Sequence, residues 1–128
     1  MRNTMILFAI LFAAATGSVS AESDFDFEEL MNDVETKTQE VQNNIAAKDF
    51  TAAGTEAKEL QEAFKLVEGY FAGRGDAADA VANAQDYQKK AQAIQDALSA
   101  GDADTAANAA NDFSKQCRGA CHDKYKPL

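Results

Sequence analysis

The chain has 128 residues, with 21 acidic side chains, 12 basic ones, a single histidine and a formal net charge of -9. That length suits one domain with one core. The acidity disfavours nucleic acid and anionic membrane as partners, favours a protein with a basic docking face, and leaves the fold open.

Arg2 precedes an apolar run at residues 5–15, which is followed by Gly17, Ser18, Val19, Ser20 and Ala21. A charged start, a short apolar stretch and a small-residue ending have the order of a secretory signal peptide. The run is too short for a membrane span, which takes ~20 residues. We therefore expect export to the periplasm, cleavage after Ala21, and a mature domain at residues 22–128 with no membrane segment. Cleavage removes Arg2 and no acid, so the charge of -9 becomes -10.

Between residues 24 and 47, Phe27, Met31, Val34, Thr38, Val41 and Ile45 recur at alternating intervals of four and three, which is one face of a helix. A second stripe keeps the same rhythm through Phe50, Ala53, Ala57, Leu60, Phe64, Val67 and Phe71. A third follows in Ala77, Ala80, Ala84, Tyr87, Ala91, Ile94 and Leu98, and a shorter fourth in Ala106, Ala110, Phe113, Cys117 and Cys121. Asp49, Asp76 and Asp102 stand at the breaks, where a carboxylate can cap the next helix. Gly73, Gly75 and Gly101 suit the left-handed turn that ends a helix. Runs of ~20 to 25 residues joined by a few residues must fold back on one another. The expected fold is all-α, an antiparallel up-down-up-down four-helix bundle.

Both cysteines fall on the inner stripe of the fourth helix, and His122 directly follows the second. A c-type haem needs two thiols to bond its vinyl groups and an imidazole to reach the iron, usually as Cys-x-x-Cys-His. Here Arg118, Gly119 and Ala120 separate Cys117 from Cys121, one residue more than usual. At about 100° per residue the usual spacing turns the second thiol by about -60° and this one by about +40°, so either keeps both sulfurs on one face. A strained disulfide between the two cysteines is the main competing reading. A zinc site lacks a fourth ligand.

The stretch from Cys117 through Cys121 and His122 to Lys124, Tyr125 and Lys126, closing the last helix of an exported bundle, resembles the cytochrome c-prime superfamily. Members of that superfamily end in an attachment motif followed by a Tyr-Arg or similar pair, here Tyr125 and Lys126. Asp49, Phe50, Thr51, Ala52 and Ala53 opening helix two, and Gly101 and Asp102 before helix four, extend the resemblance. It implies one covalent haem c on Cys117 and Cys121, with His122 as axial iron ligand. The arginine that many relatives carry in helix one is absent.

Met31 is the sole methionine downstream of Ala21. In the expected topology the start of helix one lies beside the end of helix four, which brings Met31 into the layer of His122. It is either a second axial ligand or a packing residue over a five-coordinate iron. From the same end, Phe27 and Leu30, then Phe64, Val67 and Phe71, then Ala77, Ala80 and Ala84 are expected to line the pocket. The alanines leave room for a flat ring, and they serve close helix packing equally well. Arg74 or Lys124 could partner the propionates.

These residues lead us to expect a periplasmic monohaem cytochrome that carries single electrons between redox partner proteins. Nitric oxide or carbon monoxide binding at a five-coordinate haem, as in high-spin members of the similar family, is one alternative. A haem-free interaction module with a disulfide is another. No enzyme is expected: there is no second histidine to act as a base, no phosphate-binding glycine loop, and the carboxylates are scattered. A homodimer through helices one and two stays open.

Overall fold

The computed structural model describes residues 26–120, which form four helices and no strand. They are α1 (Phe27–Ala46), α2 (Phe50–Arg74), α3 (Ala78–Ser99) and α4 (Ala103–Ala120). Residues 1–21, with the expected signal peptide, lie outside the described residues, as do Cys121, His122, Lys124, Tyr125 and Lys126. No described helix is long and apolar enough to cross a membrane.

Each connection is three residues long, at 47–49, 75–77 and 100–102. So short a link turns each helix back along its predecessor. Side-chain pairs confirm the direction: Lys37 meets Glu59 at 2.6 Å, and the later Asn44 meets the earlier Glu56 at 2.8 Å. On the next seam Gln61 pairs with Gln95 at 3.0 Å while Glu68 pairs with Gln85 at 2.8 Å. α1 touches α2 and α4, α3 touches α2 and α4, and the diagonal pairs do not meet. This is the expected square, up-down-up-down bundle.

Helix ends follow local chemistry. Asp49 accepts from the Ala52 amide at 3.0 Å, and Asp102 accepts from the Thr105 amide at 3.0 Å and its hydroxyl at 2.6 Å. Asp26, one residue before α1, caps the Glu29 amide. The expected cap at Asp76 does not form. The chain enters α3 one residue later, through Ala77, and the Asp76 carboxylate turns to the Arg74 guanidinium at 3.2 Å. Gly75 and Gly101 hold φ of 75° and 72°, the left-handed conformation that costs glycine nothing. Lys48 takes the same conformation at φ 62° without that freedom.

The four stripes close on one another as their spacing requires. Ala53, Ala57, Ala80, Ala84, Ala91, Ala106 and Ala110 are buried and bring the helix backbones near, while Leu60, Phe64, Phe71, Ile94 and Phe113 fill the space between. Leu60 is fully buried. Leu60→Ala is expected to cost about 2 to 5 kcal/mol, seen as a lower denaturant midpoint at unchanged slope.

One seam and one helix cap carry titratable groups whose ionised form is favoured by folding. Hydrogen bonds from Gln85 and then Gln88 hold the Glu68 carboxyl below the usual glutamate range, and Thr105 does the same for Asp102. A carboxylate with a lowered folded pKa adds stability above its unfolded pKa, and that share is lost as pH falls through the folded value. The double variant Glu68→Gln, Asp102→Asn keeps the hydrogen-bonding shapes but cannot ionise. Its melting temperature is expected to fall less steeply than that of the parent chain between neutral and strongly acidic pH. Equal steepness would contradict the assignment.

Candidate functional site

Because α1 and α3 begin where α2 and α4 end, one end of the bundle collects residues from all four helices. Cys117 stands in the last turn of α4, half-buried and packed against the core, one turn beyond Phe113 on the same stripe. Beneath it lies a cluster of three rings. Phe64 from α2 contacts Tyr87 from α3 at 5.0 Å between centroids and Phe113 from α4 at 5.6 Å, and Tyr87 contacts Phe113 at 5.6 Å. Tilted and edge-on rings at these separations attract one another beyond their buried area.

Tyr87 also fixes the end of α4. Its hydroxyl donates to the Gln116 carbonyl at 2.7 Å, next to Cys117. The buried ring thus keeps its polar atom satisfied while tying α4 to α3. Sequence periodicity placed Tyr87 on the α3 stripe, and nothing in its spacing disclosed this bond.

A second aromatic group closes the α1–α2 corner. Phe27 stacks on Tyr70 at 4.4 Å and meets Phe71 edge-on at 5.5 Å. Leu30 and Met31, one turn further along α1, are half-buried against the core. Of the other expected pocket residues, Val67, Ala77, Ala80 and Ala84 are buried at this end with Phe64 and Phe71. Arg74 is exposed, with its guanidinium 5.7 Å from the Phe71 ring centroid and its Nε on Asp76, so its charge is already engaged by a carboxylate.

The α1–α4 register fixes the height of Met31. Gln42 donates to Asn111 at 2.7 Å, marking one level of the two antiparallel helices. Met31 lies eleven residues from Gln42, and Ala120 nine residues from Asn111. At 1.5 Å per residue Met31 is therefore ~3 Å past the level at which described α4 ends. Cys121, expected to share a haem with Cys117, and His122 fall outside the described residues. Among the described residues no three His, Cys, Asp or Glu side chains are grouped to hold a metal ion.

A shallow groove at the opposite end, with Phe50, Gly54, Lys58 and Leu98 among its walls, brings together none of the expected site residues. Comparison with protein-family models, curated proteins and solved structures returns no match.

Tyr87→Phe is expected to lower stability by about 0.5 to 1.5 kcal/mol through loss of the Gln116 hydrogen bond. Amide exchange should quicken in the last turn of α4 while the α1–α2 seam keeps its protection. Uniform change across the bundle would deny Tyr87 a local anchoring role.

Proposed function

We propose that the chain is an exported monohaem c-type cytochrome that carries single electrons, with haem bound covalently to Cys117 and Cys121 and His122 as axial iron ligand. The sequence order of two thiols and an imidazole at residues 117–122 carries this reading. Its support in the fold is the setting of Cys117: half-buried, on the inner stripe and above an aromatic floor.

The described residues suit the group. A flat apolar ring needs apolar surroundings, and Phe64, Tyr87 and Phe113 supply an aromatic floor while Phe27, Leu30 and Met31 supply half-buried apolar surface on the adjoining helix. When bound, haem iron would supply a one-electron couple. Tyr87 holds the carbonyl next to Cys117, and so holds the attachment helix at fixed height over the floor. The height of Met31, just past the described end of α4, supports it as the second axial ligand. A filled coordination sphere favours outer-sphere electron transfer over gas binding.

The signal-peptide order at residues 1–21 adds export and a periplasmic location to this reading, and the acidic composition adds redox partners with basic faces. Five-coordinate haem that binds nitric oxide or carbon monoxide is the second reading, favoured if Met31 serves as packing, as its half-buried position also permits.

The absorption spectrum of chain purified after coexpression with haem-attachment enzymes tests the proposal. A low-spin spectrum unaltered by carbon monoxide is expected, and Met31→Ala should convert it to a high-spin spectrum that shifts with the gas. A parent chain already high-spin and responsive to carbon monoxide would favour gas binding. Absence of any Soret band would end the haem reading.

A further inference from the structure

Among the described residues, Leu66 and Tyr70 are the large apolar side chains left exposed, at 54% and 37%. They lie four residues apart, one above the other on α2, and Phe27 of α1 stacks on Tyr70 at 4.4 Å. Together they form a firm apolar knob at the bundle end that carries Cys117. Gly69 and Gly73 continue the same outer face of α2. A Cβ built at either would meet nothing within 4 Å, so no internal contact requires a glycine there. Glycine is a poor helix former, and its use in an exposed helix leaves bare backbone that another surface can approach.

The seam leading away from the knob is acidic. Lys37 lies among Glu59 at 2.6 Å, Asp33 at 3.7 Å and Glu40. Its ammonium pKa is raised chiefly by the Glu59 hydrogen bond, against the lowering effect of burial, with Asp33 and Glu40 adding to the rise. One cation among three carboxylates leaves the seam negative. Two copies meeting here would bring like charges together. A lysine- or arginine-rich surface would find opposite charge.

We propose that the α1–α2 face around Leu66 and Tyr70 docks a protein partner that sets a basic rim about an apolar depression. On the electron-carrier reading, on which the nature of this partner rests, that partner exchanges electrons with the nearby haem end. Leu66 and Tyr70 enter the depression, and the Asp33, Glu40 and Glu59 carboxylates steer the approach.

The test uses isotope-labelled mature chain, purified after coexpression with haem-attachment enzymes and titrated with a lysine-rich monohaem cytochrome c of net positive charge. Amide shifts should concentrate at residues 26–37 and 62–73, and should shrink with added salt, because attraction between exposed charges decays over ~8 Å at physiological ionic strength. Leu66→Gln should weaken probe binding about five-fold, as loss of a central contact does, with the haem spectrum unchanged. Shifts centred on α3 and α4, or undiminished binding by Leu66→Gln, would overturn the proposal. So would shifts at the knob that arise without probe as the chain is concentrated, which would make a second copy the occupant. The carrier reading fails separately: a chain that takes up no haem yet shows the mapped shifts keeps the docking face and loses the electron transfer.

Discussion

Three-residue connections between helices are the constraint on which the rest of this structure depends. With so little chain to spare, each helix must lie against the one before it and run the opposite way. The consequence is chemical as well as architectural. The end of α4 with Cys117, the start of α1 with Phe27 and Met31, the end of α2 with Phe71 and the start of α3 with Ala77 all arrive at one end. A longer loop at any connection would free that helix to take another place and would dissolve the site.

Packing within that frame divides the labour by residue size. Alanines along α2, α3 and α4 let the helices approach, and aromatic side chains then decide where the bundle is filled. The cluster of Phe64, Tyr87 and Phe113 is the clearest case, with three helices each contributing one ring. Val67, Phe71, Ala77 and Ala80 carry the buried core beyond these rings, and Phe27, Leu30 and Met31 of α1 lie half-buried against it.

The fold was legible because its signal is repetitive. The four stripes predict which side chains are buried, from Val34 to Phe113, since a helix repeats its face with each turn whatever it packs against. Caps were legible where the aspartate stands directly before the helix, as at Asp49 and Asp102. At Asp76 the glycine-flanked turn admitted one more residue, and a nearby arginine competed for the carboxylate. Contacts between elements were less legible. The Tyr87 bond to Gln116, the Phe27–Tyr70 stack and the glutamine ladder along α2 and α3 depend on how two helices are set in height and rotation. Spacing within one helix carries no such information. Tyr70 lies off the α2 stripe, so periodicity alone treats it as surface, although it supports Phe27 at the candidate site. The candidate site was legible as chemistry, in the order Cys117, Cys121, His122, and only Cys117 of these lies within the described residues.

The proposed covalent bond between haem and the two thiols would show in the intact mass under denaturing conditions. Chain purified from the periplasm should weigh the residues 22–128 polypeptide plus one haem, with the added mass persisting after unfolding. Replacing both Cys117 and Cys121 with alanine should abolish that addition. A mature chain without added mass, lighter only by the hydrogens lost in forming a disulfide, would rule out the thioether bonds and leave the bundle a haem-free module.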